Sequence, residues 1–135
     1  MSKNISVKTK LVNIIKPKIN ICVALDLTKT NEIIKFIIAL SSEVSIFKLH
    51  CDIIDDFDDN FIAQLKILKK HYNILIWEDR KFSDIGFITN QQLNGGIYKI
   101  SEWADIVTFH STCGYKSIPI DTNLIIFLVV ELSVE

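Results

Sequence analysis

Asp79, Lys81 and Asp84 fall within six residues, inside the stretch Trp77-Glu78-Asp79-Arg80-Lys81-Phe82-Ser83-Asp84-Ile85-Gly86. Asp79 and Lys81 are two apart, so in extended backbone they project to the same face. The apolar run Ile74 to Trp77 ahead of them reads as a buried strand, which places the charges where that strand should end. Two carboxylates and an ammonium converging there cost much desolvation if buried. Their use would then be electrostatic, as fixed charges aimed at a reacting group. The plain alternative is an exposed charged turn, and the rest of the chain decides between the two.

The elements that would position these charges alternate along the sequence. Residues 5–18 read as an amphipathic lead-in helix ending near Pro17, within a lead-in segment 1–19. Ile21 to Leu25 reads as a fully buried strand closed by Asp26. A helix follows, capped by Thr28 or Thr30, with apolar Ile33, Ile34, Phe36, Ile37, Ile38 and Leu40. Val44 to Phe47 is the second strand and delivers Lys48 and His50 at its end. An acidic loop leads into a helix from Asn60 to about Lys70, striped by Phe61, Ile62, Leu65 and Leu68. Strand three carries the charged motif, and a short helix over Ile88 to Leu93 ends at Asn94-Gly95-Gly96. After a helical turn at Ser101 to Trp103, Asp105 to Phe109 is strand four, with His110 at its end. Ser111 to Asn123 shows no helical period, and Leu124 to Val130 is strand five.

Apolar strands alternating with helices predict a parallel sheet with helices outside it. Asp26, Lys48, His50, Asp79, Lys81 and His110 all gather at strand C-termini, the edge that carries the active site in α/β barrels and open α/β sheets. That independent pattern favours a functional array over an exposed turn. No Gly-x-Gly-x-x-Gly follows the first strand, which argues against a dinucleotide fold.

Composition removes other classes. The 135 residues predict a single domain with a real core, and a mean hydropathy of +0.30 excludes a disordered chain. The net charge of -1 makes no case for nucleic acid or an anionic membrane, and no apolar run reaches the ~18 residues of a membrane span. The basic N-terminus lacks the apolar core of a secretory leader. Cys22, Cys51 and Cys113 are odd in number and widely spaced, which predicts reduced thiols and a cytoplasmic protein. Cys51 beside His50 reads as a packed thiol, since no second ligand pair supports a metal.

Four blocks together resemble the orotidine 5'-phosphate decarboxylase family, in the form found as the C-terminal half of UMP synthase. They are Cys22 to Asp26, Phe47 to Ile53, Glu78 to Gly86 and Trp103-Ala104-Asp105. The resemblance runs from about Asn20 to Ser133. It implies a TIM barrel that dimerises, uses no metal or cofactor, and converts OMP to UMP in pyrimidine biosynthesis. It also implies a catalytic array of Lys48, Asp79, Lys81 and Asp84, the last reaching into the partner's site. Asp79 would disfavour the substrate carboxylate relative to the transition state, and Lys81 would stabilise the C6 carbanion and protonate it. Asp26, His50, Ile85 and Ser133 would stand against the substrate, with a structural role equally open for His50.

The chain also departs from that pattern. A (β/α)8 barrel takes ~200 residues or more, and five strands are readable here, so the expected fold is an incomplete barrel. Strands six to eight, and the loops that grip the substrate phosphate, are absent from the sequence. Phe87 and Ile88 stand where the family usually has Asn-Thr, and Ala24 where it often has Ser. The expectation is a decarboxylase homologue that is inactive or severely impaired and retains a binding role, with weak UMP or OMP binding. The alternative is an active decarboxylase using Lys81 as proton donor in a dimeric site. Open edges at strands one and five, together with Phe87 and Ile88, predict a homodimer.

Overall fold

In the computed structural model, which describes residues 9, 12–13, 21–118 and 123–132, five parallel strands lie side by side in chain order. They are β1 (Cys22–Ala24), β2 (Ile46–Leu49), β3 (Leu75–Phe82), β4 (Ile106–His110) and β5 (Ile125–Val129). The helices α1 (Thr30–Leu40), α2 (Asp59–Tyr72) and α3 (Gly86–Asn94) follow β1, β2 and β3. Single 3-10 turns stand at Cys51–Ile53, Ile100–Glu102, Ser111–Cys113 and Tyr115–Ser117, and among the described residues no longer helix joins β4 to β5. This sequential parallel order is that of a barrel wall, and it makes β1 and β5 the two edges, as the sequence predicts. Of the lead-in helix, Thr9, Val12 and Asn13 are helical; its other residues lie outside the described ones.

Each helix buries a narrow stripe against one face of the sheet. Ile33 and Ile37 of α1, and Phe61, Ile62 and Leu65 of α2, join Phe47, Leu49, Ile76, Phe82, Val107, Phe109 and Trp103 in one core. Asp58 caps α2 by accepting the Phe61 N–H at 2.7 Å, and Asn73 closes it in the left-handed region at φ 51°. The cap of α1 differs from expectation. Lys29 holds the N-cap position, and the carboxylate of Asp56 accepts the Thr30 N–H at 2.9 Å and its hydroxyl at 3.1 Å. A residue 26 positions away in the acidic loop thus does what local sequence assigned to a threonine.

Strand bounds shift in a way that matters for the charges. β2 begins at Ile46, two residues later than expected, so Lys48 lies within the strand. β3 runs through the motif to Phe82 instead of ending at Trp77. Pairing of Phe82 with Phe109, whose rings stack with centroids 5.0 Å apart, carries the strand past its own charges. β1, expected to be fully buried, has Cys22 and Ala24 exposed and Val23 half-buried. Cys22 and Ala24 belong to the sheet face opposite the helices, and among the described residues no second layer covers that face at the edge. Leu75 and Ile106 are fully buried there, with Ile46, Trp77 and Ile125 packed around them.

Candidate active site

Three strands converge their polar residues at one carboxylate. Lys48 pairs in register with Trp77, which puts it beside the start of the β3 motif. Along β3, Trp77, Asp79 and Lys81 alternate onto the face opposite the helices. Between Glu78 and Phe82 the register with β4 slips, so that four residues of β3 advance against two of β4. Such a bulge re-aims side chains, and here it spans Asp79 and Lys81.

Asp79 is only 8 % exposed and is the hub. Its Oδ2 lies 3.0 Å from Lys81 Nζ, 3.4 Å from Lys48 Nζ and 3.6 Å from His50 Nε2. Its Oδ1 accepts the Thr108 hydroxyl at 2.7 Å. Burial pushes the Asp79 carboxyl up, but the Thr108 and Lys81 hydrogen bonds and the two ammonium charges outweigh it and hold the group below its ordinary value. Lys48 also approaches Asp26 Oδ1 at 3.5 Å and His50 Nε2 at 3.0 Å. A lysine ammonium only donates, so Nε2 accepts from Lys48 and carries no proton of its own. The 3.6 Å approach of that nitrogen to Asp79 is therefore no ion pair; Lys48 mediates between them.

Asp84 stands apart from this cluster. Its Oδ1 accepts the Ile85 N–H at 2.7 Å and its backbone carbonyl accepts the Thr89 hydroxyl at 2.9 Å, which fixes the entry into α3. Among the described residues it makes no ion pair with Lys48 or Lys81. Ile85 precedes α3 and is exposed, as is Phe87. Ser133 lies outside the described residues. An open cavity of about 970 Å³ reaches Asp79, Lys81, Trp77 and Thr108 and runs along β5 past Phe127.

Two residues of the site carry no role in the sequence reading. Thr108 is a polar residue inside the apolar strand Ile106 to Phe109, on the same alternation as His110; that period-two spacing is the signal that points to it. Glu78 is fully buried on the helix side of β3, its Oε2 accepting the Cys51 N–H at 3.0 Å and its Oε1 without a hydrogen-bond partner among the described residues. Burial, with the Asp52 charge adding to it, pushes the Glu78 carboxyl up to about 8 against the pull of the Cys51 amide. His50, Asp52 and Glu78 bring donor atoms within 4.8 Å of one another. They fit a cation poorly, because His50 Nε2 already meets the Lys48 ammonium, Glu78 Oε2 already accepts the Cys51 N–H, and burial favours the neutral form of the Glu78 carboxyl. Cys51 is a packed thiol whose pKa burial raises strongly.

Parallel (β/α) units with a charge cluster at the C-terminal strand edge define a barrel-type α/β enzyme fold. The sequence model of the orotidine 5'-phosphate decarboxylase / HUMPS family matches residues 19–120, and the chain belongs to that family. It is 42 % identical over 110 residues to an orotidine 5'-phosphate decarboxylase of Torulaspora delbrueckii, covering 80 % of this chain and 42 % of that protein. It is 38 % identical over 109 residues to the uridine 5'-monophosphate synthase of Bos taurus, covering 80 % of this chain and 23 % of that protein. The fold also matches the solved orotidine 5'-phosphate decarboxylase of Pyrococcus horikoshii, with a TM-score of 0.63 and 23 % identity over 82 % of this chain and 50 % of that one. The chain thus spans less than half the length of the curated relatives it matches. No helix among the described residues is long and apolar enough to cross a membrane.

Proposed function

We propose that these 135 residues hold the charge array of an orotidine 5'-phosphate decarboxylase, bind pyrimidine nucleotide weakly, and on their own decarboxylate OMP too slowly to matter. The observation that carries this reading is the contact of Lys81 and Lys48 with one oxygen of Asp79, beside a cavity open along β5. In this reading Asp79 faces the substrate carboxylate, whose charge is lost on the way to the transition state. Lys81 then meets the developing C6 carbanion and delivers the proton, while Lys48 holds Asp79 and Lys81 in register. Binding is weak because the phosphate-gripping loops that the family places after strands seven and eight are not among these residues. Remote phosphate contacts are what such enzymes use to drive closure over the reacting group, so their lack lowers turnover as well as affinity.

The test is a steady-state assay of OMP loss with Lys81→Ala as control, beside calorimetry with UMP. No Lys81-dependent turnover, and a Kd for UMP above 1 μM, are expected; submicromolar UMP binding contradicts the missing phosphate grip. Turnover abolished by Lys81→Ala favours the second reading, an active decarboxylase in a dimeric site with Asp84 supplied across the interface. The compact Lys81–Asp79–Lys48 geometry supports that alternative.

A homodimer belongs to both readings. Ile85 and Phe87 at the start of α3 are 66 % and 70 % exposed, an apolar surface that a two-fold contact would cover. Sedimentation velocity should show a dimer at micromolar concentration; a stable monomer there refutes it.

A further inference from the structure

We propose that Thr108 and Trp77 form a positioning pair that clamps Oδ1 of Asp79, so that Oδ2 alone is presented to Lys48 and Lys81. Neither residue has a role in the sequence reading of the array. Trp77 Nε1 lies 2.8 Å from Thr108 Oγ1, and an indole nitrogen can only donate. Thr108 therefore accepts from Trp77, and its single hydroxyl proton is left to point at Asp79 Oδ1, 2.7 Å away. The direction of both hydrogen bonds follows without sight of any hydrogen. Serial bonds of this kind polarise one another in a low-dielectric setting, and Thr108 is 4 % exposed.

The pair also fixes a rotamer. Asp79 is the only member of the array touched by both lysines, and free rotation about its terminal torsion would exchange the two oxygens between them. With Oδ1 bound to Thr108, the carboxylate plane is set by β4 while the charges come from β2 and β3. Trp77 is itself held from the far side, its ring edge-on to Phe127 of β5 at 5.1 Å. Four strands thus determine the orientation of one carboxylate. Trp77 and Thr108 are positioning residues here; Asp79 touches the charges.

This inference rests on the reading of Asp79 as the hub of the array, but its test reads the carboxyl group directly, so the presence or absence of turnover does not bear on it. The full chain is labelled with 13C and 15N, and the Asp79 carboxyl carbon and Trp77 indole N–H are followed from pH 2 to 7. The titratable and charged groups around Asp79 are Lys81 on its own strand, Lys48 and His50 from the β2 side, Cys22 of β1 and Asp26 beyond Lys48, and each carboxyl carbon is assigned separately. The expected result is one midpoint shared by the Asp79 carbon and the Trp77 N–H. Thr108→Val should raise the Asp79 midpoint and remove the response of the indole, and Thr108→Ser should restore both. Trp77→Phe, which does not touch Asp79, should also raise the midpoint; it keeps the inference testable if Thr108→Val fails to fold. An unchanged Asp79 midpoint in folded Thr108→Val or in Trp77→Phe overturns it. So does Thr108→Ser behaving as Thr108→Val, since the methyl group and not the hydroxyl would then be what matters.

Discussion

A chain carrying Glu78→Gln is expected to keep nearly constant stability from pH 5 to 9, where the unsubstituted chain loses on the order of 3–5 kcal/mol. Glu78 is fully buried and its carboxyl is raised from its ordinary 4.5 to about 8 by desolvation. Between those values the folded chain keeps a proton that the unfolded chain has released. Stability from this group is therefore complete below about pH 4.5 and falls as pH rises through 8. Asp79 acts with the opposite sign. Its folded value lies below the ordinary one, so its contribution is present above that ordinary value and lost on acidification. Together the two carboxylates, adjacent in sequence but on opposite faces of β3, place the stability optimum on the acid side of neutrality. Glutamine keeps an acceptor for the Cys51 N–H at the position of Oε2 and removes the ionisation. Urea titrations at pH 5, 7 and 9 read the effect directly, and a parallel pH slope in both proteins would sink it.

Trp103→Ala should remove about 4 kcal/mol, most of the stability of an ordinary small domain. Trp103 is fully buried, and three separate contacts converge on it. Its ring packs against Phe57, with centroids 6.1 Å apart, and its Nε1 donates to the Tyr98 carbonyl at 2.7 Å. Its own carbonyl accepts from Lys69, which also pairs with Asp105 at 2.9 Å, and Asp105 Oδ2 accepts the Ile76 N–H at 3.0 Å. The residue thus ties α2 and the turn before β4 to the start of β3. Trp103→Phe, which keeps an aromatic ring but loses the donor, should cost clearly less. Denaturant unfolding followed by circular dichroism separates the two, and a loss below about 1 kcal/mol for the alanine variant would show that the site relaxes around the cavity.

Much of this protein was readable from local pattern. The apolar runs that became β2, β3, β4 and β5 follow from hydrophobic pattern and their parallel order from strand–helix alternation, while β1 and β5 as edges and the decarboxylase lineage are what the resemblance of four sequence blocks implies. These are properties of contiguous residues, and they survive without knowledge of what packs on what. The strand bounds were less legible, because β3 ends where Phe109 stops offering Phe82 a partner and not where charge enters the sequence. The capping of α1 by Asp56 is similarly a matter of where a distant loop comes to rest.

The charged stretch shows the division most clearly. That Asp79 and Lys81 share a face was settled by their spacing of two, since a strand alternates whatever surrounds it. Which of the motif's acids would be charged was not. Glu78 and Asp79 have near-identical chemistry, yet one is buried against the Cys51 amide with an unpartnered oxygen and the other meets two ammonium groups and a hydroxyl. That outcome depends on the neighbouring strands. Lys48 comes from β2 and Thr108 from β4, and only strand register, with the slip between Glu78 and Phe82, brings them to opposite oxygens of one carboxylate. Spacing along the chain determined the charges and their common face; tertiary packing decided which of them ionise and which way they point, because desolvation and hydrogen bonding are set by groups far away in sequence.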